Sequence, residues 1–153
     1  KQINMKKYLL PTLILLIAGI VYAFNNLSPQ NSNDPWTEKQ LMIPADLAKI
    51  VADSSAKKPY IYSIGPGGGI PFSIEIGDTK EHENLDKLKM QVSKLPKNAD
   101  IVIYCGCCPF DKCPNIRPAF KVLNEMKFTN HKLLNLSQNL KVNWIDKGYP
   151  VRK

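Results

Sequence analysis

The sequence predicts an α/β domain built on a mainly parallel sheet flanked by helices, and three observations carry that prediction. Short β-rich runs alternate with amphipathic stretches at helical spacing, the pattern of repeated strand–helix units. The run DIVIY, residues 100–104, is almost wholly apolar, as expected of a strand covered on both faces. Of the 153 residues, about 130 remain once an N-terminal leader is set aside, enough for one domain with its own core.

The leader is read from "MKKYLLPTLILLIAGIVYAFNN", starting at Met5. Lys6 and Lys7 form a basic region, Leu9 to Ala23 an uncharged, mostly apolar stretch, and Val21-Tyr22-Ala23 a small-residue cleavage pattern. The apolar run is shorter than a comfortable membrane span of ~20 residues. Residues 1–23 are therefore expected to be a cleaved secretory signal, with an uncleaved membrane anchor through residues 8–24 as the alternative. Either implies an exported domain in the periplasm or cell envelope. Residues 24–35, "FNNLSPQNSNDP", read as a linker, leaving 36–153 as the domain.

Within the domain, Leu47, Ile50 and Val51 predict a helix from Pro44 to Ala52, with Pro44 in its first turn. "PYIYSIG" (59–65) and "FSIEIG" (72–77) read as strands. Between them, "PGGG" (66–69) lacks the Lys-Ser or Lys-Thr of a phosphate-binding loop and reads as a turn. Leu85, Leu88, Val92 and Leu95 predict a helix over 83–95, closed by Pro96. After the strand at 100–104, Ala119, Val122, Leu123 and Met126 form the buried stripe of a further helix, with Pro118 at its first position. "HKLLNL" (131–136) reads as a strand, and "VNWIDKGYPV" (142–151) as a short helix and a turn at Gly148. There are no internal repeats.

The formal net charge is +8. Removing residues 1–23 takes away three lysines and no acid, leaving 18 basic against 13 acidic residues and a net charge of +5. The lysines are scattered, without blocks or interleaved aromatics, which argues against a nucleic-acid surface.

All four cysteines fall in one segment, "IVIYCGCCPFDKCPNIR" (101–117). Cys105, Cys107, Cys108 and Cys113 span nine residues, so a disulfide among them would close a very small loop and join no distant elements. Local chemistry explains the cluster better. The segment links the end of a central strand to the start of a helix, where open α/β sheets gather their ligand sites. A helix N-terminus there stabilises a thiolate, the reactive form of cysteine. Cys105 is the expected nucleophile, with Cys107, Cys108 and Cys113 as accessory thiols and Cys108 and Cys113 as its rivals. Gly106, Lys112, Asn115 and Arg117 are the expected loop and anion-binding residues. Arg117 would supply fixed positive charge, Lys112 would meet an anionic donor, and Asn115 would cap the helix.

The stretch from residue 101 to the end resembles the second half of a rhodanese domain. The matching pieces are "IVIYC", "RPAFKVLNEMKFTN", "LLNL" and "NWIDKGYPV"; upstream, "GGIPFSIEIG" (68–77) resembles that family's Gly-His-Ile-Pro-Gly-Ala-Ile segment. The resemblance covers roughly residues 36–153. It departs from the family in its loop, where eleven residues separate Cys105 from Arg117, and at Ser63 and Gly69, which stand where the family has Asp and His. The resemblance implies a sulfurtransferase without a cofactor. Cys105 would take sulfane sulfur from a small donor such as thiosulfate or a persulfide. It would hold it as a persulfide and pass it to a thiol or cyanide.

Other readings stay open. Cys105, Cys107, Cys108 and Cys113 form Cys-x-Cys-Cys-x4-Cys, a thiolate set suited to zinc or Cu(I). Cys105 and Cys108 form the Cys-x-x-Cys of a thiol-redox module. A rhodanese-like domain can also serve as a non-catalytic binding module. Trp144 and Tyr149 are expected in packing roles, Trp36 at the domain's N-terminal edge, His82 on a solvated face, and His131 capping or preceding a strand.

Overall fold

Five strands make one sheet in a computed structural model that describes residues 34–152. They are β1 (Leu41–Met42), β2 (Tyr60–Ser63), β3 (Ser73–Glu75), β4 (Ile101–Tyr104) and β5 (His131–Leu134), in the spatial order β1-β5-β4-β2-β3. Every neighbouring pair is parallel. Four helices complete the fold: α1 (Pro44–Ala52), α2 (His82–Val92), α3 (Ile116–Glu125) and α4 (Leu140–Asn143), with 3-10 turns at Glu38–Gln40 and Ile145–Lys147. The expected α/β domain with a parallel, helix-flanked sheet is what these residues form. The expected signal or anchor of residues 1–23, and the linker up to residue 33, lie outside the described residues. Among the described residues no helix is long and apolar enough to cross a membrane.

β4 explains its own sequence. It lies in the middle of the sheet between β2 and β5, and all four of its side chains are fully buried. Because strand side chains alternate, Ile101 and Ile103 enter one core with Leu88 and Val92 of α2 and Ala119, Phe120 and Leu123 of α3. Val102 and Tyr104 enter the other with Leu47, Ala48 and Val51 of α1 and with Leu140 and Trp144. Each such burial contributes about 1.5–3 kcal/mol, so both faces of β4 had to be apolar.

The helix limits shift for identifiable reasons. α2 stops at Val92, and Leu95 follows in a turn whose N–H bonds the Val92 carbonyl at 3.0 Å. Pro96 disfavours helical backbone in the residue before it, so Leu95 leaves the helix while still packing on the core. α3 begins at Ile116, which makes Pro118 its third residue rather than its first. A proline is tolerated there because the N–H groups of the first turn have no helical partner to lose. β1 was not expected. Its two residues pair with Leu133 and Leu134 at the sheet edge, too short a run to show a period.

The aromatic residues pack as expected. Trp144 is fully buried, donates from Nε1 to the Pro150 carbonyl at 2.7 Å, and meets the Tyr149 ring edge-on at 5.3 Å. Trp36 is buried, with its ring 6.1 Å from Phe110 and 5.7 Å from Phe120. Just before it, Asp34 and Pro35 are tied to α3: Arg117 donates to the Asp34 carboxylate and Asn124 Nδ2 to the Pro35 carbonyl. His82 is exposed, and His131 is the buried first residue of β5, its Nε2 2.9 Å from Asn124 Oδ1.

Candidate active site: a four-thiol loop

β4 delivers Cys105 at the carboxyl edge of the sheet, where it is 1% exposed. A second loop, Gly65–Gly69, lies directly against it. The Gly106 N–H bonds the Pro66 carbonyl at 3.0 Å, and the Gly106 carbonyl accepts from the Leu140 N–H at 2.9 Å. Glycines make this approach possible. A β-carbon on Gly106 would fall 1.9 Å from the Gly67 carbonyl oxygen, and one on Gly65 would fall 2.5 Å from Cys105 Sγ. The "GPGGG" run thus forms one wall of the thiol site as well as a turn.

From Gly106 the chain turns outward through Cys107, which is exposed, and Cys108, which is half-buried. It is pinned back by Phe110, whose N–H bonds the Leu136 carbonyl at 3.1 Å and whose ring meets Trp36. The chain then re-enters the core at the fully buried Cys113. The excursion folds the four sulfurs together. All lie within 4.8 Å of one another, with Cys105 Sγ 3.4 Å from Cys107 Sγ and Cys107 Sγ 3.0 Å from Cys108 Sγ. All four are free thiols.

Asn115 occupies the N-cap position of α3, yet its side chain makes no capping bond. The expected capping role is replaced by a bridging one. Asn115 Oδ1 accepts from the Lys80 N–H at 3.0 Å, and Nδ2 reaches toward Cys105 Sγ at 3.7 Å. Its carbonyl accepts from Thr79 Oγ1 at 2.6 Å. These bonds fix the amide between the loop before α2 and the thiol cluster.

The charge within the cluster is unequal. Cys105 is held down at about 5, first by the hydrogen bond from Cys113, against the opposing effect of burial, then by the Cys107 N–H, the Cys107 thiol and the Asn115 amide. Cys107 is pushed up to about 12 by desolvation among its neighbours and by hydrogen bonds with Cys108 and Cys105. Cys113 is also raised, chiefly because its proton serves the Cys105 sulfur. At neutral pH Cys105 is therefore a thiolate, while Cys107 and Cys113 keep their protons. The N-terminus of α3 favours the same charge.

The structure gathers Cys105, Cys107, Cys108, Cys113, Gly106 and Asn115 into one site. It does not bring the other two expected residues to the sulfurs. Arg117 turns to Asp34, 2.6 Å from Oδ1, and donates to the Asp111 carbonyl at 2.7 Å, with its guanidinium 5.4 Å from the Trp36 ring. Its charge is matched by a carboxylate that is itself 10% exposed. Lys112 stands exposed at the tip of the loop. Sequence reasoning missed Gly65 and Thr79; the glycine run was the available signal for the first, and Thr79 carried none. The chain matches no protein-family model and no curated protein.

Proposed function

We propose that this domain is a sulfurtransferase that carries sulfane sulfur as a persulfide of Cys105, exchanging it between a small sulfur donor and a thiol or cyanide acceptor. The observation that carries the reading is the setting of Cys105: a buried sulfur at the carboxyl end of the central strand, 3.4 Å from Cys107 Sγ and 3.7 Å from the Asn115 amide, with hydrogen bonding from Cys113 foremost in lowering its pKa. A persulfide needs that setting, because its terminal sulfur is also an anion that hydrogen-bond donors stabilise. The parallel sheet and the cysteine cluster fit a rhodanese-like domain loosely, which supports the same chemistry. Export to the periplasm or cell envelope is part of the proposal, supported by Lys6, Lys7 and the apolar run to Ala23.

Intact mass of the reduced protein after incubation with thiosulfate, and separately with an alkyl persulfide, tests the reading. A gain of one sulfur that is lost in Cys105→Ser and removed by cyanide supports it. Absence of any gain with both donors sinks it.

A second reading is favoured by one observation. Four thiolates around a zinc ion, with Zn–S of ~2.3 Å, place their sulfurs ~3.8 Å apart, and the four sulfurs here lie within 4.8 Å of one another. Cys105, Cys107, Cys108 and Cys113 would then form a closed zinc or Cu(I) centre. Stoichiometric zinc uptake by the reduced protein, with no sulfur gain, would place this reading first.

A further inference from the structure

The four thiols differ in reach. Cys105, the sulfur-carrying residue of the reading above, is 1% exposed and Cys113 is fully buried. The surroundings of Cys105 Sγ are closed on several sides: by the Gly65 backbone, which leaves no room for a β-carbon, by the Asn115 amide at 3.7 Å, and by Cys113. On another side is Cys107 Sγ, 3.4 Å away, and Cys107 is the one cysteine of the four that is exposed. Displacement at sulfur requires the attacking sulfur, the transferred sulfur and the leaving sulfur to align at contact distance. A donor arriving from solvent finds Cys107 before Cys105.

We propose that Cys107 is the exchange thiol of the site: sulfane sulfur enters and leaves at its exposed sulfur and is stored on the buried Cys105. The inference rests on the sulfur-carrying reading and adds the path and the class of partner, alkyl persulfides and thiols that meet the loop at the surface.

The steps balance without an oxidant. As the Cys107 sulfur attacks the outer sulfur of a persulfide R–S–SH, its proton passes to the Cys105 sulfur across their 3.4 Å contact. The Cys107 S–S bond forms, the donor S–S bond breaks, and RS⁻ leaves and takes back the proton held on Cys105. The Cys105 sulfur then attacks the outer sulfur of the Cys107 persulfide. The Cys105 S–S bond forms, the Cys107 S–S bond breaks, and the Cys107 sulfur leaves with the proton of the transferred group. The transferred sulfur keeps its oxidation level throughout. Delivery to a thiol acceptor runs the same steps in reverse. A relay separates exposure from storage: one sulfur meets partners, and the other holds the persulfide away from adventitious thiols and water.

The test uses the reduced full chain and glutathione persulfide as the probe. Rapid quenching with an alkylating reagent and fragment-ion mass spectrometry locate the added sulfur over time. In the unaltered protein the sulfur is expected on Cys107 first and on Cys105 later. In Cys105→Ser, which lacks both the proton acceptor for Cys107 and the storage sulfur, sulfur is expected to accumulate at neither position. Cys107→Ser is expected to slow loading of Cys105 by ~10-fold or more, and because Cys107 is exposed its replacement leaves the core intact, which circular dichroism checks. If Cys107→Ser loads Cys105 at the rate of the unaltered protein, the relay is overturned and the sulfur-carrying function stands. If the unaltered protein takes up no sulfur at any cysteine, both are overturned.

Discussion

Gly106 sits so close to Gly67 that a β-carbon on it would lie 1.9 Å from the Gly67 carbonyl oxygen. Two loops separated by a strand, a helix and a second strand thereby touch backbone to backbone, and the Gly106 N–H bonds the Pro66 carbonyl at 3.0 Å. The obstacle is main chain, which cannot swing away as a side chain would. Gly106→Ala is therefore expected to cost about 1–3 kcal/mol of stability and to loosen Cys107 from Cys105. Chemical denaturation reads the first effect. A rise in the alkylation rate of Cys105, the buried thiol, reads the second; an unchanged rate would mean that the two loops are not held by this contact.

The hydrogen bonds onto Cys105 give the site a defined acid limit. Its thiol titrates near 5 in the folded protein against an ordinary value of 9.0, so the thiolate is present above pH 5 and lost as pH falls through it. A depressed folded pKa stabilises the native state at pH above the unfolded value and loses that contribution as pH falls toward the folded one. Cys107 and Cys113 act in the opposite sense: raised in the fold, they cost stability as pH rises above 9. Stability of the reduced protein is expected to climb from pH 5 toward 9 and to decline beyond it. Denaturant midpoints measured across this range check the shape, and Cys105→Ser should remove the rise toward pH 9, leaving only the acid-end rise from buried His131, which desolvation holds below its ordinary value of 6.5.

Asn115→Ala removes an amide donor to that thiolate and the acceptor for the Lys80 N–H. Thiolate formation at Cys105 should move to higher pH, read from the ultraviolet absorbance of the thiolate. Asn115→Asp should move it further, because a carboxylate beside the sulfur repels the same charge. Equal titrations in all three proteins would show that Cys113 and Cys107 alone set the charge.

Arg117→Ala should affect folding rather than sulfur chemistry. The guanidinium holds Asp34, the Asp111 carbonyl and the Trp36 ring together. Its loss leaves the largely buried Asp34 carboxylate unpaired, at a cost of about 1–3 kcal/mol. Thermal denaturation should register that loss while the pH titration of Cys105 stays in place. A shifted titration would return Arg117 to the thiol site.

Sequence alone determined the scaffold of this domain, because local pattern reports burial. The apolar run at 100–104 reads as a strand covered on both sides, and the stripe Ala119, Val122, Leu123 as one face of a helix, and both form. The concentration of every cysteine after that strand also marked the loop in which the four sulfurs meet. Tertiary structure decided what the individual groups do there. Asn115 stands at a helix N-cap in sequence, but the loop at Lys80 and the sulfur of Cys105 compete for its amide and win. Arg117 lies near the thiols in sequence, yet Asp34, eighty-three positions away, takes its charge. The four cysteines look alike as letters and become one buried thiolate, one exposed thiol and two neighbours. Burial, hydrogen bonding and charge pairing depend on contacts between distant segments, and no local pattern encodes which segment will arrive.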